Sequence, residues 1–188
     1  LYDEYYRPIR AYTSNHLGGF TQVDSKLDWA GKTEYTVTTH KYDTNATALT
    51  VRDNFFYTAQ DRLELHTQQI NGGSTQLITK NTYDELGQLT SKNVGGSDTS
   101  GATGLQTVDY SYNIRGWLKG INDVNNLGTD LFAFKINYNT PEEATALFNG
   151  NISETYWKSS NDTELRKYNY NYDHLNRLLG AEYKKPEA

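Results

Sequence analysis

Hydrophobic and polar residues alternate with a period of two in several parts of the chain. The run 168–173 reads Tyr-Asn-Tyr-Asn-Tyr-Asp, Tyr110 and Tyr112 flank a serine, and Leu63 and Leu65 stand between polar residues. A period of two indicates strands whose successive side chains point to opposite faces of a sheet. The pattern therefore predicts β-strands as the main elements of the chain.

These alternating runs flank a repeated seven-residue motif. Its copies begin at positions 2, 27, 57, 83, 112 and 172, so the intervals are 25, 30, 26, 29 and 60 residues. The long last interval indicates that one copy between positions 112 and 172 is missing or rewritten. Internal repeats of this length are typical of arrays in which each unit is one supersecondary element.

The residue types of the motif predict a tight turn. Position two is always Asp, Asn or Thr, whose side chains accept hydrogen bonds from backbone amides just ahead. Position five is a residue that tolerates a left-handed backbone, except Tyr6, so we expect the first turn to be distorted. A type I turn followed by a left-handed residue closes a hairpin with a bulge. The predicted turn residues are Asp3, Asp28, Gly31, Asp61, Asp84, Gly87, Asn113, Gly116, Asp173 and Asn176.

Each repeat is thus predicted to be one antiparallel hairpin with an aromatic approach strand and an aliphatic return strand. A single hairpin is marginally stable, so the aromatic side chains should pack between neighbouring repeats. The aromatic residues predicted to pack in this way are Tyr2, Tyr57, Tyr83, Tyr110, Tyr112, Tyr170 and Tyr172. The fold class predicted is all-β, with serial hairpins forming a curved sheet or spiral, a partial shell.

Residues 120–167 depart from the repeat and are interpreted as an inserted hairpin with a loop. Residues 132–138 alternate strongly and predict one strand, and residues 155–158 predict its return. Pro141 could cap a short helical turn over 140–143. The Gly- and Ser-rich residues 95–104 predict a mobile surface loop. The predicted organisation is a repeat sheet over 1–119, the insertion over 120–167 and a further repeat over 168–188, from which the chain is expected to continue.

The amino-acid composition indicates that the predicted sheet contains many tyrosine side chains. Sixteen residues are Tyr, the aromatic fraction is 13% and the hydrophobic fraction only 36%. The net charge is −5 and no Lys/Arg cluster occurs, so nucleic acid is not an expected partner. No run approaches the ~20 apolar residues of a membrane span, and Leu1 opens the chain without a signal peptide, like a cut within a longer protein. The absence of Cys removes disulfides and thiolate sites and fits an exported bacterial protein.

No motif in the chain predicts catalysis, a cofactor or a metal. His16, His40, His66 and His174 lack metal-ligand spacing, and the aspartates of the motif are explained by turn capping. The pair Glu142 and Glu143 is interpreted as a solvated loop pair. An enzyme is therefore the least favoured class.

The aromatic residues leave an alternative open. The tyrosines together with Trp29, Trp117 and Trp157 could stack on sugar rings and make a glycan-binding surface. Packing within the sheet is favoured, because the Tyr positions follow the repeat and do not form a separate patch.

The motif resembles that of the RHS/YD-repeat family, whose signature is Y-D-x-x-G-R-L. The copies at 83–89 and 172–178 match most closely, and 83–89, 112–118 and 148–152 look like the version found in Bacteroidota. The resemblance covers essentially the whole chain.

This resemblance implies a hollow β-shell that encloses a C-terminal toxin domain in bacterial members. A core domain that cuts the chain by aspartate chemistry follows the repeats in that family, but its D-P-x-G motif is absent because no Asp-Pro occurs here. The implied partners are the rest of an RHS chain, a toxin cargo and secretion-machinery proteins, at a secreted or cell-surface location. Animal relatives carry such shells in adhesion receptors, so adhesion or glycan binding stays the alternative.

Overall fold

The computed structural model describes residues 1–185, which form thirteen β-strands. Thr, Tyr, Val and Phe are frequent in these strands, and such residues pack well on a pleated, half-buried surface. The strands are β1 (Arg10–Ser14), β2 (Gly18–Leu27), β3 (Thr33–Asp43), β4 (Leu49–Tyr57), β5 (Leu63–Ile70), β6 (Gln76–Tyr83), β7 (Leu89–Val94), β8 (Gln106–Tyr112), β9 (Leu118–Ile121), β10 (Phe132–Asn137), β11 (Glu154–Ser159), β12 (Arg166–Tyr172) and β13 (Leu178–Lys184).

The order of the strands in the sheet is their order along the chain, and neighbouring strands are antiparallel. The sheet is open, with β1 and β13 as its outermost strands. Residues 1–185 contain no helix. The prediction of an all-β fold built from serial antiparallel hairpins is confirmed.

The chain divides into two compact units. One comprises Leu1–Thr82 together with Lys92–Gln106, and the other comprises Tyr83–Ser91 together with the chain from Thr107 onward. The predicted segments 1–119, 120–167 and 168–188 divide the chain by its sequence repeat, whereas the two units group residues that lie close in space. The units therefore do not test the segments, which stay a prediction. The last three positions of the third segment lie outside the described residues.

The predicted hairpins turn where the sequence motif lies. We call the six motif segments 2–8, 27–33, 57–63, 83–89, 112–118 and 172–178 the first to sixth corners. The strand register shifts directly before the second, third, fifth and sixth corners, and position one then pairs with position seven, as in Tyr57 with Leu63. A register shift of this kind is a β-bulge, which bends the strand into the turn.

Few side chains are fully buried, since no second sheet covers the first in the described chain. Only six hydrophobic residues of the described part of the chain are buried. Val124 and Leu127, in the loop before β10, pack on Ala133 and Tyr156 and make a small core in the second unit. Cross-strand pairs and backbone hydrogen bonds therefore carry much of the stability.

One expectation for the connections was wrong. Residues 140–143 make bends and no helical turn, because the amides of Glu142, Glu143 and Ala144 are directed at the Glu154 carboxylate. The connection over 95–104 contains no strand or helix, and its predicted mobility stays a prediction. Asp98 accepts hydrogen bonds from the backbone of Ser100 and Thr103 at 3.0 and 2.9 Å.

Candidate functional site

All six corners share one backbone hydrogen-bond pattern. The amide of position two donates to the carbonyl of position six, as Asp28 donates to Lys32 at 2.8 Å. The amide of position five donates back to the carbonyl of position two, as Gly31 donates to Asp28 at 3.1 Å. The same two bonds close the other five corners at 2.8 to 3.1 Å. The repeat in the sequence is therefore a repeat in backbone geometry.

The side chain at position two caps each corner. Asp84 accepts the amide of Gln88 at 2.8 Å, and Asn113 accepts the amide of Trp117 at 3.0 Å. Thr58 does the same more weakly, at 3.3 Å from the amide of Arg62. Asp, Asn and Thr are interchangeable here because only one oxygen acceptor is needed.

Position five is left-handed in every corner. Gly31, Gly87 and Gly116 have φ of 94°, 83° and 79°, and Asp61 and Asn176 have φ of 64° and 62°. Tyr6, which was expected to distort the first corner, has φ of 61° and keeps both backbone bonds. The local hydrogen bonds hold Tyr6 in a conformation that is strained for a bulky residue.

The pKa values of the corner aspartates Asp3, Asp28 and Asp173 are lowered from the ordinary value. Burial raises the pKa of Asp3, but the amide and guanidinium of Arg7 and the amide of Tyr5 outweigh it and lower that pKa overall. The amide and guanidinium of Arg177 hold the pKa of Asp173 below its ordinary value, against the effect of burial. The carboxylate accepts these hydrogen bonds more strongly than the protonated acid, so protonation should weaken the corners.

We expect the thermal midpoint to fall as the pH drops below the ordinary pKa of Asp, near 3.8. A lowered folded-state pKa contributes stability that is present above the unfolded pKa and is lost as pH falls through the folded pKa. In the triple variant Asp3→Asn, Asp28→Asn and Asp173→Asn, the decline between about pH 5 and pH 2 should be shallower. Thermal melts across that range measure it, and equal slopes in the two proteins would contradict the assignment.

Position six links one corner to the next, which sequence reasoning missed. Arg7 donates from Nη1 to the carbonyls of Asp28 and Trp29 in the second corner, at 3.1 and 3.2 Å. Lys32 forms an ion pair with Asp61 of the third corner. The signal was present in the sequence, because position six is always a long side chain. These residues are Arg7, Lys32, Arg62, Gln88, Trp117 and Arg177.

The same link recurs within the second unit. A Cβ atom on Gly116 of the fifth corner would lie 2.9 Å from Nε2 of Gln88, the position-six residue of the fourth corner. A Cβ atom on Gly150 would lie 3.0 Å from the Trp117 ring. The position-six side chains Arg7, Lys32, Gln88 and Trp117 therefore lie against the following turn of their own unit, and we call this set of contacts the corner ladder.

Arg7 and Arg177 offer a matched test of the corner ladder. Both donate from Nε to the aspartate of their own corner at 2.6 Å, but only Arg7 also bonds a following corner among the described residues. We expect Arg7→Ala to lower the thermal midpoint by about 3 °C. Arg177→Ala, whose side chain is 72% exposed, should change it by less than about 1 °C. Equal shifts in the two melts would show that the inter-corner contact contributes nothing.

The rewritten repeat lies at Tyr138. Its hydroxyl donates to the carbonyl of Leu118 at 3.0 Å, just as Tyr57 donates to the carbonyl of Thr33 at 2.9 Å. Leu118 and Thr33 are both position seven of the preceding corner. The 60-residue interval thus contains a further hairpin, β10–β11, whose connection has grown to residues 138–153.

Glu154 anchors that long connection from a fully buried position. Its carboxylate accepts the Asn137 side chain at 2.7 Å and the amides of Glu142, Glu143 and Ala144 at 2.6, 3.3 and 3.3 Å. Burial raises the pKa of Glu154, but these hydrogen bonds lower it overall. The charge of Glu154 is therefore satisfied by backbone dipoles inside the sheet.

Six of the seven predicted packing tyrosines are half-buried in or beside strands, at positions 57, 83, 110, 112, 170 and 172. Tyr2 differs, with 64% of its surface exposed, because it pairs only through an isolated bridge with Pro8. In the second unit Trp157 stacks on Tyr168 at 5.5 Å, and Tyr168 contacts Tyr170 and Tyr183 at 6.1 and 5.4 Å between ring centroids. These four rings form an aromatic surface on one face of β11–β13.

The tryptophans and histidines lie in several separate surroundings, and His16 and His174 are exposed. Trp29 is 91% exposed, whereas Trp117 packs on Tyr138 with 5.2 Å between ring centroids. His66 Nε2 lies 2.8 Å from Asp53, and His40 Nδ1 lies 2.8 Å from the Thr21 hydroxyl. Within residues 1–185 no three His, Asp or Glu side chains are grouped to hold a metal ion. The same residues include no helix with the length and apolarity of a membrane span.

Comparisons with known proteins find similar solved structures. No protein-family model matches the chain, and neither does any curated protein. A solved structure of the Photorhabdus luminescens Tc holotoxin pore is similar over 89% of this chain, with 13% sequence identity and a TM-score of 0.39. The chain spans 9% of the length of that structure's chain.

Proposed function

We propose that this chain is a structural wall segment of an exported RHS/YD-repeat protein and performs no catalysis itself. The observation that carries the proposal is the uniform geometry of the six corners, with corner-ladder contacts between consecutive turns within each unit. Uniform corners set a regular sequence of hairpins, and the position-six side chains Arg7, Lys32, Gln88 and Trp117 lie against the following turn. The corner carboxylates are engaged in capping, as Asp3 and Asp173 are.

The proposed partners are the rest of the same RHS chain and a C-terminal toxin or effector cargo. Secretion-machinery proteins would deliver the assembly to the outside or surface of a bacterial cell. A sheet with few buried side chains supports this role, since a wall must be covered by something on at least one face. The wall would enclose or present the cargo, keeping it from water and from proteases.

Protease protection tests this function on the full-length product of the gene that encodes this chain. A region that follows Ala188 should resist trypsin while the wall is intact and should be cut in the Gly87→Val variant. Val at a left-handed position breaks the fourth corner, where Gly87 has φ of 83°. A matched exposed substitution, Leu86→Ala, should leave protection unchanged. A gene that encodes no following domain, or equal cleavage in all three proteins, would refute encapsulation.

A cell-surface adhesion or glycan-binding module is the second candidate, favoured by the aromatic surface on β11–β13. Tyr183 is 46% exposed and lies against Trp157 and Tyr168. Saturable binding to cells or glycans that is lost in Trp157→Ala, with the C-terminal region unprotected, would favour this candidate over the wall.

A further inference from the structure

Two cations share one aromatic ring in the first unit. The guanidinium carbon of Arg52 lies 4.0 Å from the Tyr35 ring centroid, and the ammonium of Lys26 lies 6.0 Å from it. The register of β2, β3 and β4 produces this arrangement, since Lys26 and Asn54 both pair with Tyr35, and Arg52 lies two residues before Asn54. Side chains two residues apart on a strand share a face, so these groups meet on one side of the sheet.

The charges around this ring are not balanced. Lys26 pairs with Glu34 at 2.7 Å, whereas Arg52 donates from Nε to the Asn54 amide oxygen at 2.9 Å. Among residues 1–185 no carboxylate lies within ion-pair distance of Arg52. The hydrogen bond and charge of Glu34 raise the pKa of Lys26, and the charge of Arg52 opposes that rise. Glu34 pairs with Lys26 and not with Arg52, so a further anion beside Arg52 would be stabilised.

A groove of about 540 Å³ opens beside these cations. Its lining combines the cations Lys26, Lys32 and Arg52 and the carboxylates Asp28 and Glu34 with aromatic rings that include Tyr35, Phe56 and Tyr57. Lys26 pairs with Glu34, and Lys32 pairs with Asp28 and Asp61, so among residues 1–185 Arg52 is the cation of this lining that has no carboxylate partner. Phe56 is 53% exposed, so a flat apolar ring faces solvent there. Ligand sites commonly have volumes of roughly 300 to 1,000 Å³ and join apolar walls with a few polar groups.

We infer that this groove binds an acidic saccharide, with a sugar carboxylate on Arg52 and a sugar ring against the exposed aromatic rings. A guanidinium matches a carboxylate in a two-pronged hydrogen bond, and Arg52 has its two Nη groups for that purpose. A single unpaired cation suits a ligand with about one negative charge per ring. The net charge of −5 disfavours a densely charged polyphosphate such as nucleic acid.

Calorimetric titration of the full chain tests the inference with three probes of similar length. These are a hyaluronan hexasaccharide, which carries glucuronate, neutral chitohexaose and hexaglutamate. We expect saturable binding of the hyaluronan probe alone. Arg52→Gln should weaken that binding at least about tenfold, and raised salt should weaken it further.

Two further variants keep the test decisive. Arg115→Gln removes a cation stacked on Trp117 in the other unit and should leave the affinity unchanged. If Arg52→Gln does not fold, Arg52→Lys keeps the charge without the planar fork and should still bind several-fold more weakly. The inference is overturned by absence of hyaluronan binding, by equal binding of chitohexaose or hexaglutamate, or by an unchanged affinity in the Arg52 variant. None of these outcomes bears on the wall, because the groove takes no part in protease protection.

Discussion

Replacing Gly19 with Ala is expected to lower the free energy of unfolding by about 3 kcal/mol. Gly19 is buried at the start of β2, and a Cβ atom there would lie 2.1 Å from the carbonyl oxygen of Lys41 and 2.3 Å from that of Tyr42. These atoms belong to the backbone of β3, so no side-chain rotation can make room. The methyl group would force β2 and β3 apart where Gly18 pairs with Asp43.

The turn before Gly19 prevents the backbone from shifting to avoid this steric clash. Asn15 accepts the Gly19 amide on its side chain at 2.8 Å and donates its side-chain amide to the Tyr42 carbonyl at 2.7 Å. A shift of Gly19 would therefore strain two hydrogen bonds as well as the strand pairing.

Gly180 provides the matched control for this substitution. It lies in β13 with a negative φ, and a Cβ atom there would meet nothing within 4 Å. Gly180→Ala should be neutral or slightly stabilising, because Ala lowers the entropy of the unfolded chain. Urea unfolding of the two variants makes the comparison. Similar midpoints for Gly19→Ala and Gly180→Ala would mean that β2 and β3 are not packed as closely as described.

Replacing Glu154 with Ala is expected to cost about 3 kcal/mol, the second large effect. The substitution leaves the Asn137 side-chain amide and three backbone amides of the 138–153 connection without their shared acceptor. Buried donors that lose their acceptor carry the full desolvation penalty. Glu154→Gln should cost less, because one amide oxygen can still accept from part of this group.

Hydrogen exchange gives this prediction a local readout. The amides of Glu142, Glu143 and Ala144 should exchange faster in Glu154→Ala, while the sixth corner keeps its protection. Glu182→Ala is the control, because Glu182 is an exposed carboxylate in β13. Unchanged exchange at the three amides, or the same loss of stability in the Glu182 variant, would show that Glu154 does not hold the connection.

Local chemistry explains why the hairpins and corners could be predicted from sequence. The period of two fixes strands, and an oxygen at position two with a left-handed residue at position five fixes a turn within seven residues. The left-handed backbone of Tyr6 could not be predicted, because a tyrosine side chain gives no sign of it. It is seen only in the structure, where Tyr6 has a positive φ and the first corner keeps both backbone hydrogen bonds. The hydrogen bonds that form a corner join residues within one seven-residue motif, so the motif alone is enough to predict the corner.

Contacts between distant residues explain what could not be predicted. The role of Glu154 depends on amides ten to twelve residues away in an irregular connection, so the Pro141 signal wrongly indicated a helical turn. The repeat at Tyr138 was hidden because its turn residues are replaced by that connection. The groove at Arg52 depends on the register of three strands, which the sequence pattern leaves open.

Because the strands follow one another in the sheet in the same order as in the chain, the protein can fold while it is being synthesised. Every strand pairs only with the strands just before and after it in the chain, so contacts span short sequence separations. Loop-closure entropy is then small at each step, and such topologies fold faster than sheets that join distant segments. The nascent polypeptide can therefore add one hairpin at a time as it leaves the ribosome, with no strand waiting for a partner that is synthesised much later.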